Sequence, residues 1–236
     1  MNRFCRFDLR TIDAVAARTF YSHPRILGHD RATIWPLHEQ ALARGARPHW
    51  LGQLAVEDVG KAATAFYARG AVALGPPRPG PDGGEVAVMR DPGGAIVAVG
   101  TRPKSDVKGV DVVWHVLHTS DAARATANYC ELFGWQLTGR IELGDAGSFQ
   151  QFAWDKGDPR SAGAIADVKG RAGVHPHWLF FFAVDALDPA IDAVRSEGGR
   201  ALDPITLPGG ERLAICDDPQ GAAFGLRELP TRSASA

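Results

Sequence analysis

Apolar and polar positions alternate along this chain with two different periods, and the points where the period changes mark out its elements. Residues 112–119 are apolar or β-branched between polar flanks, which predicts a strand. Asp121 then stands as an N-cap candidate before an Ala-rich run of helical period reaching residue 132, with Gly134 just beyond. Residues 149–154 and 162–168 read as further strands, and 178–184 is so apolar that both of its faces should be covered. An amphipathic helix over 187–196 closes at Gly198; 213–216 and 223–227 form a hairpin around the turn Asp218, Pro219, Gln220, Gly221.

The pattern repeats. Pro48, His49, Trp50, Leu51 recurs as Pro176, His177, Trp178, Leu179, and Asp91, Pro92, Gly94, Ala95 as Asp218, Pro219, Gly221, Ala222. Upstream of these blocks, Thr11, Asp13, Ala14, Ala17, Tyr21 matches Thr119, Asp121, Ala122, Ala125, Tyr129 at a shorter spacing, so the N-terminal copy lacks about twenty residues. Residues 22–32 replace the stretch 130–161, and the unit of strand, helix and two or three strands is expected four times.

Composition narrows the function classes. With 26 basic and 27 acidic residues and a net charge of −1, the chain has no basic run for nucleic acid or an anionic membrane surface. No apolar run is long enough to span a bilayer, and charged residues interrupt the first twenty positions, so a cytoplasmic protein is expected. Cys5, Cys130 and Cys216 are far apart and read as reduced, mostly buried residues.

The strings from Phe7 to Tyr21 and from His115 to Trp135, with the two Pro-His-Trp-Leu and two Asp-Pro-x-Gly-Ala blocks, resemble the vicinal oxygen chelate superfamily, specifically tandem members of its glyoxalase, bleomycin-resistance and extradiol dioxygenase group. The resemblance implies an α+β fold: two tandem glyoxalase-like domains of paired βαβββ modules whose curved mixed sheets surround a cup. It implies domains at 3–102 and 110–229, a linker at 103–109 and a flexible tail at 230–236. Family enzymes hold a divalent metal through His or Gln on the first strand of each module and Glu on the last. Here those positions carry Trp114, Leu179 and Gly225 in one repeat and Arg6, Leu51 and Ala98 in the other. No metal cofactor is therefore expected, a divalent metal being the alternative.

Strand alternation directs Trp114, Val116 and His118 to one face of the 112–119 strand, and by the same resemblance His177, Leu179 and Phe181 face them, with Phe149 beside them. These seven are the candidate ligand-binding residues. For His118 and His177 three roles stay open: packing or a turn, a hydrogen bond to ligand, or a general base. His115 reads as a core histidine with a backbone partner; His23, His29 and His38 read as solvated. Arg6, Asp8 and Arg10 share one strand face, as an ion-pair ladder or an anion site. The leading expectation is a protein that binds a small aromatic or amphipathic metabolite in a metal-free cup, as a monomer or homodimer. Two alternatives remain: a lyase, isomerase or dioxygenase using a metal or these histidines, and an interaction or dimerisation module with an exposed strand edge.

Overall fold

A computed structural model describes residues 3–28, 32–80, 83–102, 110–158 and 160–229. The expected linker, the expected tail and His29 lie outside the described residues. The first half runs β1 (Phe4–Thr11), α1 (Ala14–Tyr21), β2 (Thr33–Pro36), α2 (Glu39–Ala43), β3 (His49–Ala55), α3 (Val59–Tyr67), β4 (Val72–Ala73), β5 (Arg78–Pro79), β6 (Glu85–Arg90) and β7 (Ile96–Gly100). The second runs β8 (Val112–Thr119), α4 (Ala122–Phe133), β9 (Gln136–Glu142), β10 (Ser148–Ala153), β11 (Gly163–Asp167), β12 (His177–Val184), α5 (Leu187–Ser196), β13 (Arg200–Ala201), β14 (Ile205–Thr206), β15 (Arg212–Asp217) and β16 (Ala223–Glu228).

Each repeat supplies one mixed sheet. The first has the order β2-β1-β3-β7-β6-β4 with β5 on β6; the second has β13-β15-β16-β12-β8-β11-β10-β9 with β14 on β15. Both are open paths of strands, so the expected curling of a sheet around a cup is replaced by open sheets. The predicted helices start where their caps stand. Asp121 Oδ1 accepts from the Arg124 N–H at 2.9 Å and Asp13 Oδ1 from Val15 and Ala16, while Gly134 ends α4 at φ 70°, a left-handed conformation that suits glycine.

The shortened module is now explained strand by strand. In the second sheet β11 pairs parallel to β8, and the β9–β10 hairpin continues beyond it; in the first, β2 pairs parallel to β1 and ends the sheet. The residues missing from the N-terminal copy are thus those of that hairpin, and the first module has one strand after its helix rather than two or three. β2 is four residues long and ends in Pro36, which lacks an N–H and so blunts a free edge. β9 was not predicted: its residues are exposed apart from half-buried Ile141, and no period-two apolar face marks it.

By packing, the chain divides into two compact units that do not follow the repeats. The first comprises Met1–Phe7, Leu51–Val107 and His115–Leu179; the second comprises Asp8–Trp50, Lys108–Trp114 and Phe180–Ala236. Each therefore takes segments from both repeats. In the first unit, the Tyr129 hydroxyl on α4 donates to Asp91 Oδ2 at 3.0 Å, and Trp178 Nε1 donates to the Tyr129 oxygen at 3.4 Å. Asp91 Oδ1 accepts from the Ala95 N–H across the Asp-Pro-Gly-Gly-Ala turn at 2.9 Å. In the second unit, Tyr21 on α1 donates to Asp218 at 3.2 Å and accepts from Trp50 at 3.1 Å, while Asp218 Oδ1 closes its own turn onto Gln220 and Ala222. All six residues recur between the repeats, and all are buried. Burial pushes both aspartates above the usual carboxylate range and both tyrosines well above theirs.

Around Tyr129 the first unit is filled by stacked rings. Trp135 lies 4.4 Å from Phe152 and 5.0 Å from Tyr129, nearly parallel to both. The second unit has Tyr21, Trp50, Phe182 and Phe224 packed mostly edge to face.

Because each tyrosine satisfies an oxygen that water cannot reach, Tyr129→Phe should cost about 1–3 kcal/mol in urea denaturation, and Tyr21→Phe a similar amount. Wild-type stability in either variant would show that these hydrogen bonds carry no net weight.

Candidate functional site

The seven candidate residues divide between the units. Val116, His118, Phe149, His177 and Leu179 belong to the first, and Trp114 and Phe181 to the second. Only His177 is more than marginally accessible. Trp114 and Phe181 pack on each other at 5.6 Å, and the Arg227 guanidinium lies 5.2 Å above the Trp114 ring.

In the first unit the alternation of β8 and β12 brings His118 and His177 together, with Nδ1 of His118 3.4 Å from Nε2 of His177 and ring centroids 4.7 Å apart. The Phe149 ring meets His118 edge-on at 6.3 Å. Nδ1 of His177 is also 2.8 Å from the carbonyl oxygen of His175. His49, its counterpart in the other repeat, places Nδ1 2.7 Å from the carbonyl of Arg47. Histidine recurs after proline in both copies because the ring closes the turn that leads into the strand. The contact is in keeping with the turn role, and at the position of His118 the two copies differ: Arg10 occupies the corresponding place in the second unit, 3.4 Å from Asp8. The Arg10–Asp8 pair supports the ion-pair side of the ladder expectation.

The protonation of this region is set by burial. His118 is pushed down to about 3, mainly by desolvation and further by the charges that His177, Arg171 and His175 would carry. His177 is lowered for the same leading reason. His115 faces the other way, stacked on Phe4 at 5.2 Å with Nδ1 2.9 Å from the Ala162 carbonyl; burial lowers it to about 4. It is the core histidine expected. Trp154 packs at 5.0 Å from His115. His38 caps α2, and His23 accepts from the Arg25 N–H.

The positions that carry metal ligands in the resembling family do not fit a metal. Gly225 pairs with Phe181 across β12 and β16, and a Cβ at 225 would overlap the Phe181 ring, so a carboxylate has no room there without moving that ring. Gln53 stands where the repeat places Phe181; it pairs with Ala98 and donates to the Thr101 carbonyl at 3.3 Å. Among the described residues no group of three or more His, Cys, Asp or Glu is placed to hold a metal ion, and Cys5, Cys130 and Cys216 are free.

A separate groove of about 690 Å³ lies in the first unit between α3 and the end of α4. Phe66, Phe133 and Leu132 contribute its apolar surface, and Glu57, Lys61 and Arg102 charged groups. It contains none of the seven candidates. The sequence reading also missed the Asp–Tyr–Trp groups, although a signal was present: each member recurs in the second repeat.

With this geometry in hand, comparison with known proteins is informative. The family model described as "Glyoxalase/Bleomycin resistance protein/Dioxygenase superfamily" matches residues 112–226. The Mycobacterium tuberculosis protein named "Putative glyoxylase CFP32" is 26% identical over 93% of this chain and 92% of its own length. "Anthracycline biosynthesis protein DauV" from Streptomyces sp. is 32% identical over 62% of this chain and 53% of its own. Among solved structures, the 2,3-dioxygenase LapB from Pseudomonas sp. KL28 superposes with a TM-score of 0.65 at 12% identity, covering 99% of this chain and 95% of LapB. The Mn(II)-bound glyoxalase from Novosphingobium aromaticivorans gives 0.61 at 14% identity, covering 97% and 83%. These last two likenesses establish the fold; no helix among the described residues is long and apolar enough to cross a membrane.

The buried histidines carry a pH dependence of definite sign. A histidine held below its ordinary 6.5 stabilises the fold fully above that pH, and the stabilisation is lost as the pH falls through the lowered value, about 4 for His115. Asp91 and Asp218, raised above 3.8, act in the opposite sense, favouring the fold most below that pH and losing the effect as pH rises through their raised values. The His115 ring should accordingly remain neutral at a pH of about 5.5. Imidazole carbon shifts in an NMR titration would read this, and a midpoint near 6.5 would contradict it.

Proposed function

We propose that the chain, whose residues 112–226 match the glyoxalase/bleomycin resistance protein/dioxygenase superfamily, uses this fold to bind a small aromatic or amphipathic molecule without a metal ion. The Phe181 ring carries the reading, because it occupies the space over Gly225 from which the family's carboxylate would reach a metal. Trp114 and Leu179 at the two imidazole positions offer no lone pair to a divalent ion. Binding is assigned to the first unit, at His118, His177 and Phe149, with Val116 and Leu179 sharing the same strand faces. An aromatic edge beside a small number of polar atoms is the usual composition of a site for a flat ligand. A relative named for anthracycline biosynthesis is in keeping with a small organic ligand. A base role for His118 is disfavoured, since a group that protonates only near pH 3 is a weak proton acceptor at neutral pH.

The test uses 2-naphthol as probe, read by thermal shift on protein dialysed against EDTA. Stabilisation by the probe should be the same before and after dialysis, and Phe149→Ala should weaken binding about tenfold, equivalent to about 1.4 kcal/mol. Binding or turnover that appears only on adding Fe(II), Mn(II), Ni(II) or Zn(II) would overturn the metal-free reading.

A further inference from the structure

The His118–His177 pair has a hydrogen-bond polarity that the backbone dictates, and the polarity selects a ligand class. A carbonyl oxygen can only accept, so Nδ1 of His177, 2.8 Å from the His175 carbonyl, must carry the proton. In a neutral ring that leaves Nε2 of His177 as a lone pair. The contact of 3.4 Å between this nitrogen and Nδ1 of His118 then requires His118 to donate from Nδ1. The consequence falls on the last atom of the chain. Nε2 of His118 is an acceptor, and no described residue partners it. His118 is 8% exposed, and Nε2 is not among the polar atoms sealed from solvent without a partner, a condition met only by Thr11 Oγ1 among the described residues.

We infer that this atom recognises a neutral hydroxyl or N–H donor on an aromatic ligand, a phenol-like group whose ring lies beside Phe149. The inference rests on the binding reading above and specifies the ligand for that site. An ionised carboxylate presents no proton to Nε2 and meets a lone pair there. Admitting one would require protonated His118, which burial and the facing Arg171, His175 and His177 all oppose. Arg171 comes close to this region from the loop after β11: a Cβ at Gly147, two residues before Phe149, would lie 2.6 Å from its Nη2. Its charge adds to the burial that holds His118 neutral, and we place it as a donor for an oxygen elsewhere on the same ligand. The second unit has the opposite polarity at the equivalent place, since Arg10 there has donors only.

Three probes of one shape separate the possibilities at pH 7: 2-naphthol, 2-methoxynaphthalene, which lacks the donor, and 2-naphthoate, which is anionic. The wild type should bind 2-naphthol about tenfold more tightly than 2-methoxynaphthalene, and His118→Phe should reduce that ratio to near one. Equal binding of the first two by the wild type would overturn the acceptor role while leaving the binding reading intact. Tightest binding of 2-naphthoate would overturn it in favour of an anion site at Arg171. Failure to bind any of the three would remove the binding reading itself, and the inference with it. Should His118→Phe not fold, ¹⁵N-histidine spectra of the wild type decide the matter independently: the Nδ1–H tautomer of His118 is expected, and the Nε2–H tautomer would refute the proposal.

Discussion

A carboxylate removed from water must find donors inside the protein, and both halves of this molecule are arranged around that requirement. Asp91 and Asp218 each close a tight turn with one oxygen and take a tyrosine hydroxyl on the other, and a tryptophan N–H completes each set. The partners cannot be exchanged for water, because the side chains are buried among aromatic rings. In the first unit the turn is also pinned to the end of β8, where the Ser120 N–H and hydroxyl both donate to the Gly93 carbonyl. In the second, the Gln220 amide bridges to the start of α1, accepting from Ile12 and Asp13 and donating to the Asp13 carbonyl. A turn from one repeat thus fixes the helix start of the other, and within each unit the two repeats are bound by polar groups as well as by apolar burial.

This arrangement also determines what the histidines can do. The turn before β12 needs a donor to a carbonyl, and His177 supplies it; His49 meets the same need in the other copy. Once one nitrogen is committed, the tautomer of the ring is no longer free, and the hydrogen-bond direction passes to the next residue in contact. Where the repeats differ, His118 against Arg10, the first unit has an acceptor and the second a cation paired with Asp8.

Much of the fold was legible because its elements bury one regular face. β8, α4, α5 and β12 fall within a residue or two of the ranges their periodicity predicts. β9 was not legible for the converse reason: from Gln136 to Glu142 it contributes almost nothing to the core, so no apolar alternation records it. The site was legible in part. Alternation together with the family resemblance placed His118 and His177 on facing strand positions, but it also grouped Trp114 and Phe181 with them, and those two pack on each other in the second unit.

By itself the sequence determined the duplication, the loss of about twenty residues from the first module, most of the strand and helix order and which residue types stand where the resembling family carries its ligands, because each is a matter of residue identity and spacing along the chain. Only the tertiary structure decided that each compact unit draws on both repeats, that Phe181 fills the space over Gly225, and that His118 meets His177. Those outcomes depend on which groups remain near one another after water is excluded. A linear pattern specifies which faces are buried but not which buried donor meets which buried acceptor.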